Sequence, residues 1–147
     1  MWDFRRHHTV ITGGTSMNIG FIAHDAKKIL MQNFCIAYRN ILVKHTLYAT
    51  GTTGRMIEDA ANLTVHKYAP GITGGATQLC ADIEMNNIDL IIFLRDPLTP
   101  KPKEPDVNNI VRLCDVHNIP LATNLAAAEL LVKAMNRGDM EWRDVFR

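Results

Sequence analysis

The sequence carries almost no net charge: 16 Lys and Arg stand against 15 Asp and Glu, a formal +1 over 147 residues. The broad basic face of a nucleic-acid-binding protein is therefore missing, although a small, locally bound anion stays compatible with it. Cysteine is scarce as well. Cys35, Cys80 and Cys114 are odd in number, far apart and without a C-x-x-C pair, which argues against a disulfide framework or a zinc site and for reduced thiols. No apolar run approaches the roughly 18 residues of a membrane span. The Arg5-Arg6 pair is followed by His7-His8-Thr9, too polar for a signal-peptide core. The cytoplasm is the expected compartment, with no membrane and no nucleic acid as partner.

What remains is an ordinary globular composition, 47% hydrophobic and 21% charged, of a length that fits one domain with a real core. Residues 1–16 differ from the rest, with two Arg, two His and a Gly-Gly-Thr-Ser cluster. They are read as a leader or flexible arm ahead of a single domain over 17–147, with Met17 as an alternative translation start.

From there strand and helix patterns alternate. Ile19 to Ala23 reads as a strand, then His24-Asp25 precedes a helical pattern through Ala37, with Asp25 where an N-cap belongs. A second strand, His45 to Ala49, runs into Thr50-Gly51-Thr52-Thr53-Gly54, read as a tight loop, and a helix follows over 55–62. Leu63 to Tyr68 alternates apolar and polar residues, as a half-buried strand does. A second glycine-rich stretch, 69–77, leads to a helix through Leu79, Ile83 and Met85. Ile88 to Leu94 is nearly all apolar, the mark of a central parallel strand covered on both faces. After a proline-rich loop, a helix is expected over Val107 to His117, a strand at Ile119 to Ala122 and a helix from Leu125 to Asn136.

Such alternation specifies a three-layer α/β fold, a parallel sheet flanked by helices, whose ligands bind beyond the carboxyl ends of the strands. That rule gathers His24-Asp25, Thr50 to Gly54, Arg95-Asp96 and Thr123-Asn124 on one rim. The Thr50 to Gly54 stretch offers hydroxyls beside the free N–H groups of a helix start, a place that attracts phosphate. His24 could polarise a carbonyl or carry a proton, or simply bond to backbone at a strand end. Lys28 lies one turn further on, in reach of an anion. Asp96 and Asp106 are candidate acid/base carboxylates; equally, Asp96 before Pro97 suits a turn and Asp106 suits a helix cap.

Taken in order, Ile22-Ala23-His24-Asp25 with Lys28, Ala49 to Gly54, Gly74-Gly75, Arg95-Asp96-Pro97-Leu98, Glu104-Pro105-Asp106 and Pro120-Leu121-Ala122-Thr123-Asn124 closely resemble the methylglyoxal synthase family. The resemblance runs from Met17 to about Arg143. It implies a flavodoxin-like subunit in a homohexamer that eliminates phosphate from dihydroxyacetone phosphate to give methylglyoxal, with no metal and no cofactor. It further implies that Thr50, Gly51, Thr52, Thr53 and Lys28 hold phosphate, that Pro70, Gly71 and Lys103 line the same site, and that His24 contacts the substrate oxygens while Asp106 and Asp96 shape the acid/base environment. Three departures stand out. Ala76 follows Gly74-Gly75 where the family has its acidic base; Pro70 lacks the N–H of the usual residue; Lys103 replaces a histidine. The alternative function is a noncatalytic or regulatory binder of phosphorylated metabolites on the same fold.

Overall fold

The computed structural model describes residues 16–69, 75–98, 101 and 106–146. Five strands form one parallel sheet: β1 (Asn18–Ala23), β2 (Thr46–Thr50), β3 (Val65–Tyr68), β4 (Leu90–Leu94) and β5 (Leu121–Ala122), in the order β3-β2-β1-β4-β5. The helices are α1 (Lys28–Ala37), α2 (Arg39–Leu42), α3 (Gly51–Ala61), α4 (Gly75–Glu84), α5 (Val107–His117) and α6 (Leu125–Asn136), with 3₁₀ turns at Asp25–Lys27 and Glu141–Phe146. The three-layer architecture is the expected one, with β4 beside β1 and β3 at the edge outside β2, whereas flavodoxin's order, 2-1-3-4-5, sets β3 beside β1. The order reverses between β1 and β4, so the crevice where ligands enter such a sheet opens at the ends of those two strands.

Alternation along each strand sorts the core into two layers. Ile19, Phe21, Leu47, Ala49, Leu90, Ile92 and Leu94 face α1, α3 and α6, whose Met31, Phe34, Ile57, Ala128 and Val132 complete one buried cluster. Ile22, Ile91 and Phe93 face the other way, against Leu79 and Ile83 of α4 and Ile110, Leu113 and Cys114 of α5. Because both faces of β4 are covered, all five of its residues are buried, which is why its sequence is apolar without alternation. Gly20 belongs to this packing: a Cβ there would stand 2.8 Å from Ile91 Cδ1. Cys35 and Cys114 are buried thiols, pushed up to about 12 by that burial, and Cys80 is half-buried.

Several sequence expectations shift. α3 begins at Gly51 rather than 55, so Thr50 alone, at φ −62° and ψ 154°, makes the passage from strand to helix. The threonine stretch is the first turn of the helix, not a loop before it. Gly54 serves packing there: a Cβ would meet Lys67 Cγ at 2.6 Å, so its absence lets α3 lie close on β3. Met85 is 71% exposed, because it follows the last turn of α4 and points away from the sheet. The expected leader lies, for 1–15, outside the described residues.

The C-terminal 3₁₀ turn closes the opposite end of the sheet. Arg143, 4% exposed, donates from Nε to Asp89 Oδ1 at 3.3 Å, from Nη1 to the Asn118 carbonyl at 2.7 Å and from Nη2 to Asn86 Oδ1 at 2.8 Å. Asp89, fully buried just before β4, also accepts the Asn18 N–H at 2.7 Å through Oδ2. One ion pair thus ties the start of β1, the start of β4 and the tail. Arg143→Ala, which strands a buried carboxylate, is expected to cost about 3–5 kcal/mol, whereas Asp89→Leu combined with Arg143→Met recovers much of that loss because no charge is left buried. Urea titration of the unaltered protein and the two variants measures both; a loss under about 1 kcal/mol for Arg143→Ala contradicts the clamp.

Candidate active site

The register brings the candidate residues to one height. Phe21 pairs with Ala49 and Ala23 with Leu94, so His24 leaves β1 beside Arg95 on one side, while on the other β2 ends alongside β1 and passes through Thr50 into α3. His24 is 1% exposed and donates its own N–H to the Leu94 carbonyl at 3.1 Å. Its ring stands edge-on to Phe93, centroids 5.1 Å apart.

The decisive bond is on the imidazole itself. Nδ1 of His24 accepts the backbone N–H of Asp96 at 2.8 Å. A neutral imidazole whose Nδ1 is an acceptor carries its proton on Nε2, so His24 is set as a hydrogen-bond donor at that atom. Asp96 enters through its main chain; its carboxylate Oδ1 accepts the Leu98 N–H at 3.0 Å, a turn around Pro97 of the kind the Asp-Pro pair suggests.

On the β2 side, the first turn of α3 presents its N–H groups beyond the strand ends, and the helix carries no acidic residue there. Thr50 makes no side-chain cap bond, Thr52 is exposed, and Gly51 and Thr53 are buried. The result is a helix start whose first N–H groups have no intrahelical partner, with partial positive charge and hydroxyls around it.

Asp25 is not the expected cap. His24 occupies that position, without a side-chain cap bond, and Asp25 lies in the first turn. Its carboxylate is held instead between two lysines, Lys101 Nζ at 2.8 Å and Lys28 Nζ at 3.3 Å. The hydrogen bond from Lys101, then that from Lys28, keeps its pKa below the ordinary value. The i, i+3 spacing of Asp25 and Lys28 was a readable sign of this pair; the link to Lys101, 76 residues away, was not.

Asp106 caps α5, its Oδ1 accepting the Asn108 N–H at 2.9 Å, and borders a crevice of about 440 Å³ with Thr77, Cys80, Ala81, Glu84 and Asn109 between α4 and α5. Ala76 lies in the first turn of α4. Pro70, Gly71 and Lys103 fall outside the described residues. Sequence reasoning missed the ties around α4: Tyr68 donates to Asp82, and Gln78 Oε1 accepts the Ala69 N–H at 2.9 Å, so the end of β3 is bonded to α4 twice. Burial first, then that bond to Asp82, raises the Tyr68 pKa.

Comparison with known proteins accords with this arrangement. A family model described as the MGS-like domain matches residues 31–123. A methylglyoxal synthase of Caldicellulosiruptor saccharolyticus is 64% identical over 129 residues, 88% of this chain and 92% of its own. The methylglyoxal synthase of Listeria welshimeri is 53% identical over 131 residues, 89% and 98% of the two chains. Among solved structures, the methylglyoxal synthase of Elizabethkingia anophelis superposes with a TM-score of 0.77 at 37% identity, over 80% of this chain and 77% of that one. With identity of this order across nearly nine-tenths of its length, the chain belongs to the methylglyoxal synthase family.

Proposed function

We propose that the crevice between β1 and β4 carries the family's lyase chemistry, elimination of phosphate from dihydroxyacetone phosphate to give methylglyoxal. The observation that carries this reading is the Asp96 N–H bond to His24 Nδ1, which leaves a neutral imidazole with Nε2–H as donor next to the open start of α3. A ketone that loses a carbon-bound proton becomes an enediolate, and a fixed neutral donor at the developing oxyanion stabilises that charge where it forms. The phosphate group sits on the first turn of α3, held by Thr50 and Thr52 hydroxyls and by the N–H groups of Gly51, Thr52 and Thr53, with the Lys28 ammonium as counter-charge. Asp25 positions that ammonium, through the 3.3 Å pair between them. Phosphate then leaves from the enediolate, and the enol that remains tautomerises to methylglyoxal.

Proton removal from carbon is the step with the fewest resources. The family resemblance puts the base at position 76, and the side chain of Ala76 has no acid/base group. Asp96 and Asp106 are the other candidate carboxylates. Each has one oxygen committed to a turn or cap N–H. This observation favours a second reading, a site that binds phosphorylated metabolites without turning them over.

Three outcomes test these readings. Inorganic phosphate at about 100 times Kd should stabilise the protein by about 2.7 kcal/mol, seen as a raised melting temperature, and Thr52→Ala or Lys28→Ala should reduce the shift. A shift unchanged in both variants removes the phosphate cradle. Second, in an assay of phosphate release from dihydroxyacetone phosphate, Ala76→Asp is expected to raise kcat by on the order of 10²-fold with little change in KM, since a carboxylate in the first turn of α4 is favoured in its ionised form. Fast turnover by the unaltered protein, lost in Asp106→Asn, moves the base to Asp106; absence of turnover in both proteins, with phosphate still bound, leaves the binding reading.

The third outcome concerns assembly. Ile29, Leu98 and Leu130 are exposed by 68%, 85% and 70%, apolar side chains of the kind a subunit interface buries. A homohexamer covers such faces, and sedimentation should give six times the 16.5 kDa of the chain; a monomer at micromolar concentration contradicts it.

A further inference from the structure

A second cavity, of about 310 Å³, opens at the carboxyl ends of β4 and β5. It is lined by Lys27, Leu30, Leu94, Arg95, Pro97, Thr123, Asn124 and Leu125. Its chemistry is one-sided. Two cationic side chains, Lys27 and Arg95, border it, and none of the lining residues is acidic. Among the described residues neither side chain has a hydrogen-bond or ion-pair partner. The neighbouring carboxylates are already engaged: Asp25 between Lys28 and Lys101, Asp96 in the turn at Leu98. The Asn124 side chain caps α6 by accepting the Ala127 N–H at 3.0 Å, which leaves the start of a 12-residue helix, with its partial positive charge, at the cavity wall. The Thr123 hydroxyl adds a donor. Leu30, Leu94, Pro97 and Leu125 supply apolar walls, so a fully hydrated inorganic ion matches only half of the lining. A volume near 300 Å³ is at the small end for organic ligands.

We propose that this cavity is a second anion site, for a small organic anion with a carboxylate, phosphate or phosphonate head and a short apolar body, and that its occupancy is transmitted to His24. The head lies against Arg95 and Lys27 and the body against the leucines. The link is covalent and short. Leu94 accepts the His24 N–H, and the peptide following Arg95 is the one whose N–H holds His24 Nδ1. An anion drawn to Arg95 therefore acts on the two residues that bracket the His24 contacts. The inference rests on the cavity and its cations, and stands apart from whether the β1/β4 crevice is catalytic.

Phenylphosphonate, with benzyl alcohol as the uncharged control, is the probe. In calorimetric titration of the full chain, with inorganic phosphate saturating the α3 site, phenylphosphonate is expected to bind at one site per chain. Arg95→Gln should weaken it at least tenfold, Lys27→Gln should weaken it as well, and Thr52→Ala should leave it unchanged. In ¹⁵N spectra of histidine-labelled protein the His24 ring nitrogens should shift on saturation, and not in Arg95→Gln. Absence of binding, equal binding of benzyl alcohol, or sensitivity to Thr52→Ala in place of Arg95→Gln overturns the site. Binding with no change at His24 overturns the transmission. Because no arm reads turnover, failure here leaves the lyase reading as it was, and an inactive protein leaves this site as it was.

Discussion

The hydrogen bond from the Asp96 main chain to His24 Nδ1 is possible only because β1 and β4 are neighbours in register, with Ala23 opposite Leu94. A parallel sheet makes that adjacency reliable: its evenly spaced ladder fixes how far each strand projects, and the residues after the last rung inherit the alignment. Here the alignment is enforced from both ends. At the base, Arg143 and Asp89 bind the starts of β1 and β4 together through a buried ion pair. Along the middle, β4 is sealed between two apolar layers. At the top, the His24 N–H and the Leu94 carbonyl extend the pairing one step, and the imidazole takes the next N–H in line. A side chain bonded to backbone in a packed sheet has little freedom, which is what the role proposed for His24 at a developing charge requires.

The electrostatics of the site are local. With a formal net charge of +1 the protein as a whole exerts little pull on an anion. In the proposed site the helix start at Gly51 and the ammonium of Lys28 would provide the attraction, near the ends of β2 and β1. The Asp25 pair with Lys28 and Lys101 is substantially exposed, Asp25 by 48% and Lys101 by 66%, so its contribution to stability is about 0–1 kcal/mol at most. Its consequence is geometric: one carboxylate holds two lysines near the same rim.

Much of this was legible before the structure. α5 and α6 start and stop where the sequence places them, because Asp106 and Asn124 are cap residues followed by clean helical periodicity. The parallel sheet was legible in Leu90 to Leu94, whose apolar run only a doubly covered strand tolerates. The threonine stretch was misread as a loop because glycine and threonine disfavour helix interiors. In the fold they occupy a first turn, where threonine is less costly, and Gly54 is there for its close approach to Lys67. Nothing local announced the hydrogen bonds of Arg143 to Asp89, Asn86, Ile88 and Asn118, each more than twenty residues away. Likewise, His24 could be singled out as a candidate, but its tautomer depends on a backbone N–H 72 residues further along the chain.

The account stands most directly on the protonation of that ring. A multiple-bond ¹H–¹⁵N spectrum of histidine-labelled protein, assigned with His24→Gln, distinguishes the two neutral tautomers. Near pH 8, the His24 signals should show a bare acceptor nitrogen at Nδ1 and a protonated Nε2, in the free protein and with inorganic phosphate bound. A proton on Nδ1 in the neutral ring would contradict the account, because Asp96 could not then donate to it and His24 would present an acceptor where the chemistry needs a donor.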